Sequence, residues 1–197
     1  MLVPQLVWRL AMSSAPVTRR FTTAEYYRMV AAGILREDDR VELVDGRVVD
    51  MTPIRPRHAG CVKAVADLLR RALGPMALLG VQDPIMLEEG SEPQPDVMVL
   101  RRLPEGYRRR HPGPADVLLL IEVSDASLEY DRGTKVPLYA RAGIAEVWLV
   151  DLDGARIEVY RTPSGEGYRE VRAVSRGEML SPSAFPDVVI PAAEVLG

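Results

Sequence analysis

The chain has 197 residues, of which 47% are hydrophobic and 27% charged, with a formal net charge of −3. Such a length and apolar fraction suit one domain with a proper core, and exclude both wholesale disorder and a protein held to nucleic acid by bulk positive charge. One cysteine, Cys61, and two histidines, His58 and His111, exclude an internal disulfide and a thiolate- or histidine-rich metal site, so a metal centre here must use mostly oxygen ligands.

Residues 1–12 read MLVPQLVWRLAM, apolar but too short to span a bilayer and interrupted by Arg9. A polar leader opens at Met12. The expectation is a flexible N-terminal extension over residues 1–20, a single domain over 21–197, no membrane association and a cytoplasmic protein.

Folded structure is expected from Phe21. Thr22 and Glu25 have capping-box spacing, Phe21 and Tyr26 stand at staple positions, and Gly33 ends the helix. Asp45-Gly46 predicts a hairpin between Val41–Val44 and Arg47–Met51. Cys61, Val62, Val65, Leu68, Leu69 and Leu73 repeat at helical spacing between Pro56 and Gly74. Strand pieces are expected at Ala77–Gln82 and Ile85–Leu87 around Asp83-Pro84, and again at Pro95–Leu100.

Residues 101–115, RRLPEGYRRRHPGPA, hold five arginines against one glutamate, and their prolines and glycines argue for an exposed loop. Asp116–Val123 contains the near-continuous apolar run of a central strand covered on both faces. Thr134–Ala142 reads as a short helix capped by Thr134, with Pro137 in its first turn. Ala145–Asp151 and Arg156–Tyr160 read as strands, Gly167–Val174 adds a third, and the tail from Ser181 shows little regular pattern and is expected to pack over an edge. This order gives an α/β (α+β mixed) fold without a glycine-rich phosphate loop or dinucleotide fingerprint.

Several polar residues stand out. Glu122 follows five apolar residues in the most buried-looking strand, where a lone carboxylate is costly unless it is paired or metal-bound. Asp96, at the head of another strand, reads alone as a turn aspartate; beside Glu122 it becomes half of a two-carboxylate site. Magnesium or manganese takes such oxygen ligands, and the Val123 carbonyl could add another. Glu42 alternates with Val41 and Leu43, which fits either a solvent-facing residue or a third acid near the metal. Lys135 can reach the acids if its helix returns alongside the strand, with Tyr139 one turn on; the bland alternative is a surface lysine and a core tyrosine. His58 and Gln82 are candidates to line the same cleft.

The ordered set VELVDGRVVDM, SEPQPD, VLLLIEVSDASLEYDRGTK and LYARAGIAEVWLVD resembles the restriction endonuclease family that is especially abundant in cyanobacteria, within the PD-(D/E)XK nuclease superfamily. The likeness runs from Phe21 to Asp187. It implies a restriction endonuclease-like fold, with a central mixed β-sheet flanked by helices. It also implies Mg²⁺-dependent hydrolysis of DNA phosphodiester bonds, with Mn²⁺ as a substitute. Pro95-Asp96 and Glu122 match the superfamily motif, and Glu42 matches its earlier glutamate. The motif lysine, expected two residues after Glu122, is replaced by Ser124; the resemblance implies that Lys135 supplies it from the next helix. The implied roles are Asp96, Glu122 and Val123 as metal ligands and Lys135 as the charge that positions the nucleophile. Glu42 would hold a metal-bound water or a second cation. Arg101, Arg102, Arg108, Arg109 and Arg110 are candidate nucleic-acid contacts, because arginine meets phosphate in a two-pronged manner. A homodimer is expected, since a double-strand cutter needs two active sites. The competing readings are a catalytically silent nuclease-fold module that binds nucleic acid or protein, and a hydrolase of another phosphate ester.

Overall fold

The structure is a computed structural model that describes residues 18–36 and 38–197. The expectations for residues 1–17 lie outside the described residues. The first helix, α1 (Thr23–Ala31), starts on the expected capping box: Thr22 accepts the Glu25 amide and the Glu25 carboxylate accepts the Thr22 amide. Strands β1 (Val41–Val44) and β2 (Arg47–Asp50) form the hairpin around Asp45-Gly46. Both turn residues take positive φ, 48° and 70°, as a tight two-residue turn demands. A Cβ at position 46 would fall within 2.5 Å of the Arg20 side chain, a second reason for glycine there.

The long helix α2 (Pro56–Leu73) begins on its proline, where the missing N–H has no partner to lose, and buries the stripe expected from its spacing. A six-stranded sheet follows in the order β3 (Leu78–Val81), β4 (Val97–Leu100), β5 (Val117–Ser124), β6 (Glu146–Asp151), β7 (Arg156–Ser164) and β8 (Gly167–Ser175). Every neighbouring pair is antiparallel except β5–β6, so the sheet is mixed.

Alternation along the central strands feeds two cores. Leu119, Ile121 and Val123 face α2, whereas Leu120 shares the other face with Met98, Tyr139 and Leu149. Coverage on both faces explains the unbroken apolar run of β5.

Three local expectations change. Ile85–Leu87 is not a strand; its backbone bonds to the loop residues Ser91, Pro93 and Pro112. Thr134 is not a helix cap. The helical stretch starts earlier, as α3 (Leu128–Tyr130), widens into a π-helical turn over Asp131–Lys135 and continues as α4 (Val136–Arg141). Pro137 gives the reason: it cannot donate to the preceding turn and its ring crowds the carbonyl four residues back, so the wider turn absorbs both. The tail is ordered as β9 (Met179–Leu180), β10 (Ile190–Pro191) and α5 (Ala192–Leu196), with Val195 packed in the α2 core. No described helix is long and apolar enough to cross a membrane.

Candidate active site

Ladder register builds the site. Val97 pairs with Ile121, so Asp96, one residue earlier, stands opposite Glu122; Val81 pairs with Val97, so Gln82 stands opposite Asp96. Residues directly opposed on adjacent strands project from the same face. Gln82, Asp96 and Glu122 therefore form a row across three strands, at the end of the sheet where β4 begins and β5 ends. That row lines a cleft of about 330 Å³, which also receives Glu42, His58, Val123, Asp131 and Lys135.

Asp96 is held from three sides. Its Oδ2 accepts the Val123 amide at 2.9 Å and lies 3.1 Å from His58 Nε2, while Oδ1 accepts from Gln82 Nε2 at 3.1 Å. The bond to Asp96 raises the His58 pKa against the opposing effect of burial. Val123 thus contributes an amide to Asp96, a role not anticipated from its expected carbonyl contact.

Glu122 meets the helical stretch that returns over the sheet. Its Oε1 accepts from the Tyr139 hydroxyl at 2.5 Å and lies 3.3 Å from Lys135 Nζ. The same ammonium lies 3.1 Å from Glu42 Oε2, which also accepts the Gln94 amide at 3.0 Å. Glu42, Glu122, Lys135 and Tyr139 are all buried. Glu42 therefore lies in the interior of the site, paired with the lysine, and the solvent-facing alternative fails because all of β1 is covered. Burial pushes the Glu122 carboxyl up to about 8, partly offset by Lys135. Burial acts to lower the Lys135 pKa, but Glu122 and then Glu42 outweigh it and hold the ammonium above its ordinary value. Both acids favour the charged form of the lysine.

Asp131 joins this group without having been singled out in the sequence. Its Oδ2 accepts from Ser124 Oγ at 2.7 Å and Ser127 Oγ at 2.5 Å. Burial raises its pKa, with Lys135 opposing. Ser124 occupies the position where the superfamily motif has lysine. Here it pins the π-turn to β5, and Lys135 projects from the other end of that turn. The available signal was helical spacing: Asp131 lies four residues before Lys135. Gln94 was also missed, because its contribution to Glu42 is a backbone amide.

The arginine-rich loop lies elsewhere. It joins the end of β4 to the start of β5, whereas Asp96 and Glu122 flank the opposite ends of those strands. At about 3.3 Å per residue, the four residues of β4 separate the two regions by ~13 Å. None of the loop arginines lines the cleft. Arg102, Arg108 and Arg109 are exposed. Arg110 is exposed, as expected of the loop, but tied down: it grips Asp116 through Nη1–Oδ2 at 2.5 Å and Nη2–Oδ1 at 3.1 Å, and lies over the Tyr107 ring. Arg101 donates to the Ala115 carbonyl at 3.0 Å and accepts the Tyr107 hydroxyl on its own carbonyl at 2.8 Å.

Among the described residues, no group of three or more His, Cys, Asp and Glu side chains converges to hold a metal ion. The carboxylates are gathered around a lysine.

Comparison with known proteins extends this picture. The family model Uma2, described as "Putative restriction endonuclease", matches residues 23–193. Among solved structures, the chain is similar to a "putative nuclease belonging to DUF820" from Anabaena variabilis ATCC 29413. The TM-score is 0.72 at 16% identity, covering 89% of this chain and 97% of that one. A weaker likeness, to the type IIG restriction endonuclease BpuSI, has a TM-score of 0.43 at 12% identity over 74% of this chain and 17% of that one, too low to carry an argument. No curated protein matches.

Proposed function

The chain belongs to the Uma2 family of restriction endonuclease-like proteins, and on that footing we propose that it is a Mg²⁺-dependent endonuclease hydrolysing phosphodiester bonds of DNA. One observation carries the reading: a buried lysine stands 3.1 Å from Glu42 and 3.3 Å from Glu122, in the cleft that also holds Asp96. Structural charge pairs are seldom buried this way, because desolvation offsets most of their attraction and well-packed apolar residues do as well or better. Charge clusters with displaced pKa values in a cleft mark functional sites.

The donor set fits a hard cation. Glu122 Oε1 is committed to Tyr139 and Lys135, but Oε2 makes no hydrogen bond to a described residue, and Asp96 stands opposite it. One or two carboxylates completed by water are what Mg²⁺ accepts, and Mn²⁺ tolerates the same ligands. Asp96 and Glu122, with the Val123 carbonyl, would hold the ion. A cation bound there neutralises charge on the scissile phosphate and makes a bound water more acidic.

The remaining roles belong to the protein itself. Lys135, whose charged form its two acids favour, would place positive charge near the phosphate oxygens that gain negative charge at five-coordinate phosphorus. Glu42 and the π-turn hold that ammonium in place. Tyr139 fixes the orientation of Glu122, and Gln82 and His58 fix that of Asp96. The proposal includes a cytoplasmic setting and a homodimer that presents two such sites to the two strands of DNA.

A second reading is a nuclease-fold module that binds nucleic acid or protein without cutting. It is favoured by the lack of a three-ligand group among the described residues. Calorimetric titration with Mg²⁺ and Mn²⁺ alongside a supercoiled-plasmid nicking assay separates the two. Binding with nicking is expected; no binding at millimolar cation leaves the silent module.

A further inference from the structure

The cleft is acidic as it stands. Six carboxylates line it against His58 and three lysine or arginine side chains, Arg40, Arg55 and Lys135. A polyanion approaching its mouth needs positive charge there, and Lys135 is buried between its two acids. Arg40 and Arg55 differ from it: both are exposed, and neither forms an ion pair or side-chain hydrogen bond with a described residue. Arg57, nearby in the first turn of α2, is already occupied by Asp153 at 2.7 Å and by the Leu152 carbonyl.

Arg40 and Arg55 bracket one continuous wall of the cleft. The segment Met51–Arg55 lines it residue by residue, and Arg40 is tied to the start of that segment through its carbonyl, which accepts the Met51 amide at 2.8 Å. Arg40 thus stands beside one end of this segment and Arg55 forms the other, and four residues span at most roughly 13 Å. Ile54, next to Arg55, exposes 40% of its surface on the same wall.

Resting on the nuclease reading above, we propose that Arg40 and Arg55 are the contacts to the nucleic-acid backbone on either side of the scissile phosphate, with Ile54 packing against sugar beside Arg55. Guanidinium forks match phosphate oxygens, and such contacts position the strand without reading its sequence. The arginine-rich loop is excluded from this role at the cleft, because it lies at the far end of β4 and β5 and spends Arg110 on Asp116.

Fluorescence anisotropy of a labelled 20-base-pair duplex, with Ca²⁺ as the cation and salt as the variable, tests the assignment. Each phosphate contact contributes about 0.9 to the slope of log affinity against log salt. R40A/R55A is expected to lower that slope by about 1.8, whereas R40K/R55K keeps the slope and loses affinity, since lysine retains the charge without the fork. I54A is expected to weaken binding with the slope intact, and R108A/R109A to leave both unchanged. Unchanged melting temperatures of these exposed-site variants show that binding, and not folding, is being read. Wild-type protein that binds, with R40A/R55A retaining the wild-type slope or R108A/R109A losing it, overturns this assignment and spares the nuclease reading. Wild-type protein that neither binds nor nicks duplex overturns both.

Discussion

Strands β4 and β5 carry charged side chains at both of their shared ends, and the two ends have solved the same problem differently. At the cleft end, Glu42, Glu122 and Lys135 are withdrawn from water and packed beneath Tyr139. At the loop end, an exposed Arg110 reaches over a largely covered Asp116, so that one partner stays in solvent. The loop pair is an economical clip: Asp116 also caps the Gly113 amide at 2.8 Å, and the pair closes a proline-rich crossing between strands. The cleft cluster is a costly arrangement that stability alone does not favour. The proposed chemistry rests on the charge withdrawn into the cleft, and the loop arginines lie at the far end of the same strands.

Removing the lysine tests that contrast most severely. Lys135→Ala is expected to slow cation-dependent nicking by ~10²–10³-fold, the usual loss for one electrostatic donor to a developing charge. Its Mg²⁺ affinity by calorimetry should stay close to wild type, because an ammonium is not a ligand. A variant that nicks at the wild-type rate would reduce the cleft cluster to an internal salt bridge. Glu122→Gln should behave in the opposite sense, losing Mg²⁺ affinity and activity together. Its melting temperature without cation should hold or rise, since the amide suits a site whose burial already pushes the carboxyl up to about 8.

Asp131→Ala sharpens the comparison by leaving the charged trio intact while releasing its support. Ser124 and Ser127 lose their acceptor, at a cost of about 1–3 kcal/mol for the buried Ser124 hydroxyl left unpaired. Denaturant midpoints check the cost. Nicking should slow as well, because the π-turn that carries Lys135 is no longer pinned to β5.

The loop end should show the smallest effects. Arg110 holds the Asp116 carboxyl below its ordinary value of 3.8. A lowered carboxyl stabilises the fold above that value and loses the contribution as pH falls through the folded-state value. Arg110→Ala should therefore melt slightly earlier than wild type at neutral pH, and the two melting curves should converge in acid below about pH 4. R108A/R109A should change stability by no more than about 0.5 kcal/mol, as exposed substitutions usually do.

Local chemistry was legible in the sequence wherever a few neighbouring residues decide the outcome. Thr22 with Glu25, Asp45 with Gly46, the Pro56 start of α2 and the apolar run before Glu122 each act through contacts a few positions apart, and each forms as expected. The failures share a cause as well. Thr134 looks like a cap only if the helix starts there; packing over the sheet extended the helix back to Leu128, and Pro137 forced the π-turn. Ile85–Leu87 has strand composition, but its backbone partners are loop segments and not a neighbouring strand. The Gln94 amide was invisible because its importance lies in what it touches across the fold, and Asp131 showed itself only through its helical spacing from Lys135.

The sequence by itself determined that Glu122 sits in a central strand, that Asp96 heads another, and that the chain has no thiolate or histidine cluster for a softer metal. Composition and short-range pattern suffice for those conclusions, because burial and strand periodicity are written residue by residue. Only the tertiary structure decided which charges meet. The β4–β5 register set Asp96 opposite Glu122, and the returning helix brought Lys135 between Glu122 and Glu42. The same antiparallel crossing carried the five loop arginines to the end of the sheet far from the acids. An electrostatic contact depends on distance through space, and the folded path of the chain sets that distance.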